Sequence, residues 1–106
     1  MSSMIPRGNV NKLAVVRATL SPALVAINTT AQQTFTVPGV QVGDVIVNVE
    51  KPTHQAGLGV VGARVTAANT VGITFSNNTG STITPTASEA YDFVIARVDS
   101  TSAVFQ

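Results

Sequence analysis

The feature that most limits what this chain can fold into is the regular spacing of its apolar, β-branched runs. From residue 12 onward, short runs rich in valine, isoleucine and threonine alternate with turn residues at intervals of about ten positions. This spacing is typical of an antiparallel sandwich or barrel, and no amphipathic helical stripe interrupts it. The predicted strands cover residues 12–20, 23–28, 32–37, 42–51, 60–67, 71–76 and 90–98, and the tail 101–106 either adds a short edge strand or remains free. We therefore predict an all-β, two-sheet antiparallel sandwich of about eight strands, similar to a jelly roll.

Alternation within the runs predicts which side chains face the core. In segment 42–51 three valines alternate with polar residues, which predicts one buried and one solvated face. Segment 90–98 is apolar on both faces, and such a strand belongs at the centre of a sheet or beneath a partner. Asn69, which tolerates a positive φ, predicts a hairpin between 60–67 and 71–76. The predicted core consists of Val45, Val47, Val49, Val65, Ile73, Phe75, Phe93 and Ile95.

The segment GLGVVG, which begins at Gly57, fits the pattern G-x-G-x-x-G of dinucleotide-binding loops. Such a loop binds a pyrophosphate only when a helix follows directly, because the helix N-terminus faces the ligand. The residues after Gly62 are strand formers such as Val65 and Thr66, and no acidic residue follows about 20 positions later to hold a ribose. We interpret the glycines as shaping a loop that leads into a strand.

The distribution of charge and apolar residues sets the domain organisation. Residues 1–11 are polar and irregular, which predicts a flexible N-terminal arm before a single sandwich domain over 12–106. Charged residues make up 10% of the chain, against about 25% in most soluble domains. The six basic residues are scattered and the net charge is +1, so we expect no nucleic-acid partner. We also expect no membrane partner and a protein made in the cytoplasm, because no run is long and apolar enough for a membrane span.

The chain offers few groups that could carry out catalysis. His54 is the only histidine, there is no cysteine, and no G-x-S-x-G motif supplies an activated serine. Asp44 and Glu50 lie about 20 Å apart along a predicted strand, too far for a glycosidase pair. Asp92 and Asp99 are separated by a strand and do not form a calcium loop. We expect no enzymatic activity, no catalytic residue, no cofactor and no metal ion.

Three motifs lie between residues 31 and 98. They are a V-P-G turn followed by V-G-D, an R-V-x-A-x-N-T hairpin, and an N-x-T-x-x-x-I-x-P loop at Asn77, Thr79, Ile83 and Pro85. In these motifs the chain resembles small structural proteins of tailed bacteriophages, in particular capsid cement or decoration proteins built as a jelly roll. The resemblance implies a protein on the outer surface of an icosahedral head, where it binds the major capsid protein and bridges its subunits.

Two further expectations concern contacts. The arm carries Met4, Ile5, Arg7 and Val10, which we predict to contact the capsid because the arm is too polar to pack by itself. The two-sided segment 90–98 and the low surface charge predict weak self-association into a homo-oligomer.

Two other classes of protein share this composition. A phage tail or appendage subunit that binds a receptor or carbohydrate would be expected to show a fibrous repeat or an exposed aromatic platform. A carbohydrate-binding module usually presents tryptophan or tyrosine for stacking on sugars, whereas this chain has no tryptophan and one tyrosine. Co-sedimentation with heads, with tails or with neither separates these alternatives.

Overall fold

The computed structural model describes residues 10–99, which form six β-strands and no helix. The strands are β1 (Val10–Leu20), β2 (Thr29–Thr36), β3 (Val45–Glu50), β4 (Leu58–Ala67), β5 (Thr70–Asn77) and β6 (Glu89–Val98). They form two antiparallel sheets of three strands, in the orders β1-β6-β3 and β2-β5-β4. The prediction of an all-β, two-sheet antiparallel fold is confirmed.

The core lies between the central strands of the two sheets, β5 and β6. Alternate residues of each strand point inward and exclude water, which is the arrangement expected of two sheets that share one core. β6 pairs with β1 on one edge and with β3 on the other, so the strand with two apolar faces does lie at the centre of a sheet. The buried side chains of the two strands are Val71, Ile73, Phe75, Tyr91, Phe93 and Ile95.

The described part of the chain has six strands rather than about eight, and its two three-stranded sheets do not form a jelly roll. Residues 23–28, predicted as a strand, contribute only an isolated bridge between Val25 and Ile83, with N···O distances of 2.7 and 3.1 Å. The side chain of Gln33 accepts a hydrogen bond from the N–H of Ala23 and donates one to its carbonyl, both at 2.8 Å. Because a side chain occupies these backbone groups, they do not extend a ladder. The predicted tail strand lies outside the described residues.

A bulge in β3 reverses the predicted orientation of two valines. The register with β6 shifts between Ile46 and Asn48, which leaves Val47 as the unpaired residue of the bulge. Ile46 and Val49 pack against the core, whereas Val45 and Val47 are 52% and 61% exposed. The predictions that Val45 and Val47 are buried are therefore wrong, because the bulge breaks the alternation on which they depend. The other six predicted core residues lie in the core or pack against it.

The glycine-rich segment leads into a strand and not into a helix. Gly57 has a φ of +83° and directly precedes β4, and a Cβ at this position would overlap Cγ2 of Thr79. β4 continues through the predicted hairpin, in which Asn69 has a φ of +59°, into β5. No helix N-terminus follows the glycines, so they form no nucleotide-binding loop.

Candidate docking surface

The sheet β1-β6-β3 turns one face to the core and the other to solvent. On β1, Val16 and Ala18 pack against the core, while the alternate residues Leu13 and Val15 point away from it and are each 66% exposed. Val45 of β3 lies on the same solvent side, because the bulge at Val47 separates it from the inward-facing Val49. We call the apolar surface formed by Leu13, Val15, Val45, Val94 and Ala96 the outer face; neighbouring side chains cover its middle strand, so that Val94 is half-buried and Ala96 is only 8% exposed.

Strand register brings the residues of the outer face into contact range. Ala96 of β6 lies opposite Leu13 on one side and opposite Val45 on the other, and Val94 lies opposite Val15. Since neighbouring strands are about 4.8 Å apart, these two rows form one continuous apolar patch about 10 Å wide. A contiguous exposed apolar patch marks an interaction surface more often than single exposed residues do.

At one end of the outer face, a row of charged residues crosses the three strands. The Nε of Arg17 donates to Oδ1 of Asp92 at 2.7 Å, and its Nη2 donates to Oδ2 at 3.0 Å. This bidentate hydrogen bond, together with the positive charge of Arg17, lowers the pKa of Asp92. Glu50 lies opposite Asp92 on β3, so the row carries one positive and two negative charges. This net negative row favours a partner with a basic group at that border.

A second exposed apolar site lies where the bulges of β3 and β4 face each other. The register of β4 shifts between Val60 and Gly62, so Val61 is exposed in the same way as Val47, at 65% and 61%. The two bulged segments line a cleft of about 240 Å³. Bulges of this kind twist an edge away from regular pairing, and in the described residues no ladder joins β3 to β4.

The cleft beside β1 contains an ion pair that holds a loop in place. The Nε and Nη2 of Arg97 donate to the two carboxylate oxygens of Asp44 at 2.9 and 2.8 Å, and Nη2 also donates to the carbonyl of Gly39 at 2.9 Å. The hydrogen bond from Arg97 lowers the pKa of Asp44, whose carboxylate also accepts the N–H of Gln41. Lys12 lines this cleft of about 190 Å³. Because both charges of the pair are engaged, it tethers the β2–β3 loop to β6 rather than providing a free acid or base.

A buried ionic cluster joins the end of β3 to the start of β6. The hydroxyl of Thr53 donates to Oε2 of Glu89 at 2.5 Å, and Nζ of Lys51 lies 3.1 Å from Oε1. Lys51 also donates to the carbonyl of Thr53 at 2.8 Å. Both charged side chains are under 10% exposed, so the cluster has no open path for a substrate and acts as an internal cross-link.

The residues predicted to contact a capsid fall mostly beyond the described part of the chain. Met4, Ile5 and Arg7 lie outside the described residues, and Val10 is the first residue of β1, where it is half-buried. His54 is exposed in the turn that follows β3. Within residues 10–99 no three histidine or acidic side chains come close enough together to hold a metal ion.

Sequence reasoning missed the outer face. The signal that could have found it is the run Leu13–Ala14–Val15–Val16, which is apolar at both even and odd positions and so cannot bury all of its residues on one side of a sheet. Val45 could not have been found in this way, because its orientation depends on the bulge at Val47.

Comparison of the chain with protein-family models, with curated proteins and with solved structures finds no match. Across residues 10–99 no helix is long and apolar enough to cross a membrane. Fold and site together define an all-β protein of two three-stranded antiparallel sheets, with a solvent-facing apolar surface on one of them.

Proposed function

We propose that this protein is a non-enzymatic structural protein of a tailed-phage virion. It binds the outside of the head through the outer face and bridges neighbouring subunits of the major capsid protein. The observation that carries this proposal is the exposure of Leu13, Val15 and Val45 on one continuous surface. Covering such a surface removes apolar area from water, which contributes about 25 cal/mol per Å² before the costs of association are subtracted.

The low charge of the chain supports attachment to a large protein surface. Only 10% of its residues are charged, so an interface built on the outer face desolvates few ions. The charged border at Arg17 and Asp92 stays at the rim, where it orients the protein without being buried.

The size of the outer face indicates how attachment reaches useful strength. A stable interface buries about 800 Å² on each partner, and a patch of five small and medium side chains supplies less than that. In this proposal the arm, predicted over residues 1–11, adds contacts on a neighbouring capsid subunit through Met4, Ile5 and Arg7, next to Val10, which is the half-buried first residue of β1. Many copies on one particle then reinforce the shell together, although each copy binds weakly.

The test uses heads of the phage that encodes the chain, assembled without this protein and then mixed with purified variants. Val15→Glu places a charge in the outer face, while Val61→Glu is a matched control because the two valines are 66% and 65% exposed on different sheets. We expect Val15→Glu to lower occupancy on heads at least tenfold and Val61→Glu to retain most of it. Occupancy is measured by quantitative co-sedimentation in competition with the unmodified protein.

Two other outcomes would favour a different attachment site or a different class of phage protein. Equal binding of both variants would remove the outer face from the attachment site. Sedimentation of the protein with tails, and not with heads, would favour a tail or appendage subunit.

A further inference from the structure

The two sheets of this protein leave four strand edges, and β1 forms the longest of them. β1 has eleven residues and in the described structure pairs only with β6, so the backbone groups on its other edge have no strand partner. Unpaired edges of this length are templates for pairing with another chain unless the sequence protects them.

The other three edges are protected by bulges or by polar side chains, whereas the apolar run 13–16 between Lys12 and Arg17 of β1 has neither. β3 and β4 are interrupted by bulges at Val47 and Val61, and their edges face each other across a cleft. β2 has the sequence TTAQQTFT, in which six of eight residues are polar and Phe35 packs against the core, and the side chain of its Gln33 is hydrogen-bonded to the preceding loop. In β1 the only irregularity lies between Val10 and Lys12, and the strand then continues without proline or bulge to Leu20.

We infer that β1 is the contact by which two copies of this chain associate, pairing antiparallel about Ala14 to form a continuous six-stranded sheet. In this register Leu13 lies opposite Val15 of the second copy, and Arg17 lies opposite Asn11. Apolar residues thus face apolar ones on the solvent side, which is favourable for cross-strand pairs. Moving the register to Val15 would instead place Leu13 opposite Arg17.

The self-complementary placement of apolar residues and the absence of opposed like charges favour a second copy as the partner. With Ala14 at the two-fold axis, the two Lys12 side chains are about 13 Å apart along the strands and the two Arg17 side chains about 20 Å apart, at about 3.3 Å per residue. No like charges therefore lie opposite each other, and Arg17 keeps its own partner Asp92. A two-fold contact of this kind closes after two copies and does not extend into a fibre.

The pairing also completes the outer face. Each copy contributes Leu13 and Val15 beside the axis, so two small apolar patches become one patch across six strands. The strand predicted from sequence to mediate self-association, β6, cannot pair with another copy because β1 and β3 occupy both of its edges. This inference goes beyond attachment to heads and is tested on the isolated protein, so its failure would leave the proposed function open.

The first experiment is sedimentation equilibrium of the full chain over a dilution series. We expect a reversible monomer–dimer equilibrium, and we expect Leu13→Lys to raise the dissociation constant at least tenfold. Val45→Lys is the matched control, since it puts the same charge on the same face at the other edge of the sheet. Only edge pairing separates the two variants, whereas docking through the outer face would be weakened by both.

A second measurement keeps the inference testable if Leu13→Lys does not fold. The chain has no cysteine, so Ala14→Cys introduces a single thiol at the predicted axis, and Thr19→Cys introduces one that lies about 33 Å from its counterpart. A short bismaleimide should link Ala14→Cys into a dimer and leave Thr19→Cys monomeric. A strictly monomeric native protein, equal loss of association in the two lysine variants, or equal cross-linking of the two cysteine variants would overturn the inference.

Discussion

Tyr91 is the largest fully buried side chain of the described protein, and its hydroxyl group has no hydrogen-bond partner there. Burial, and secondarily the negative charge of Glu89, raise the pKa of this phenol to about 12. The folded pKa is thus above the unfolded value of about 10. The contribution of Tyr91 to the free energy of unfolding is therefore fully present below pH 10. It is lost as the pH rises toward 12, because the phenol of the unfolded chain ionises first.

This property can be measured directly, because Tyr91 is the only tyrosine and the chain has no tryptophan. We expect the phenolate absorbance of the native protein to rise only near pH 12 or on unfolding, and that of the denatured chain to rise near pH 10. Tyr91→Phe keeps the ring and removes an unpaired hydroxyl, so it should leave the melting temperature unchanged or higher. A native titration midpoint near pH 10 with intact circular dichroism would contradict the buried position of Tyr91.

Asn77 is a buried polar residue whose hydrogen bonds are all made. Its Nδ2 donates to the carbonyls of Val25 and Ser81 at 3.1 and 2.8 Å, and its Oδ1 accepts from the N–H and hydroxyl of Thr79 at 2.9 and 2.7 Å. The hydrogen bonds of the motif N-x-T at 77–79 therefore hold together the loop that follows β5. Polar groups that are buried and fully bonded specify one conformation of a loop.

Among the elements, β3 shows how one extra residue changes the surface of a sheet. Without the bulge, Val45 and Val47 would face the same way as Val49. With it, Val49 packs against the core, Val45 joins the outer face and Val47 lies at the exposed edge. The bulge therefore moves apolar area from the core to a surface that a partner can use.

The bulge predicts that the same substitution has different effects on stability at two valines that are only two positions apart in the sequence. Val47→Asp should change the free energy of unfolding by about 0.5 kcal/mol or less, because its side chain is already 61% exposed. Val49→Asp should destabilise the fold by about 3 kcal/mol, because it places a carboxylate against the core. Urea unfolding measures both values. Equal losses in the two variants would mean that β3 has no bulge at this position.

At the scale of the whole molecule, three ion pairs within residues 10–99 link segments distant in sequence: Arg17 with Asp92, Arg97 with Asp44, and Lys51 with Glu89. The hydrogen bond from Thr53, followed by that from Lys51, lowers the pKa of Glu89, and hydrogen bonds from arginine lower those of Asp44 and Asp92. The folded pKa values lie below the unfolded ones of about 4. The resulting stability is present above pH 5 and is lost as the pH falls through the folded pKa values.

We expect the free energy of unfolding to fall steadily from pH 5 to pH 2, as measured by urea denaturation at each pH. Glu89→Gln should be less stable at pH 7, because it leaves Lys51 buried without its counter-charge, and should show a shallower acid slope. Glu50→Gln, at an exposed glutamate, is the control that should keep the native profile. A flat profile in the unmodified protein would show that these pairs contribute nothing to folding.

Local sequence pattern was sufficient for the features that depend on neighbouring residues. The spacing of β-branched runs predicted the six observed strands, two-sided hydrophobicity placed β6 at the centre of its sheet, and Asn69 predicted the hairpin. These features follow from backbone preferences and alternation within one short segment, so no knowledge of distant contacts is needed.

Long-range contacts decided the rest. Residues 23–28 have the composition of a strand, but the side chain of Gln33 occupies the N–H and carbonyl of Ala23, and Val25 and Asn28 bond to the loop after β5. The outer face likewise arises only when β1, β6 and β3 lie side by side and a bulge turns Val45 outward. Alternation divides the residues of a strand between the two faces of a sheet. Which face is buried depends on strand register and on the sheet that packs opposite, and both are properties of the tertiary structure.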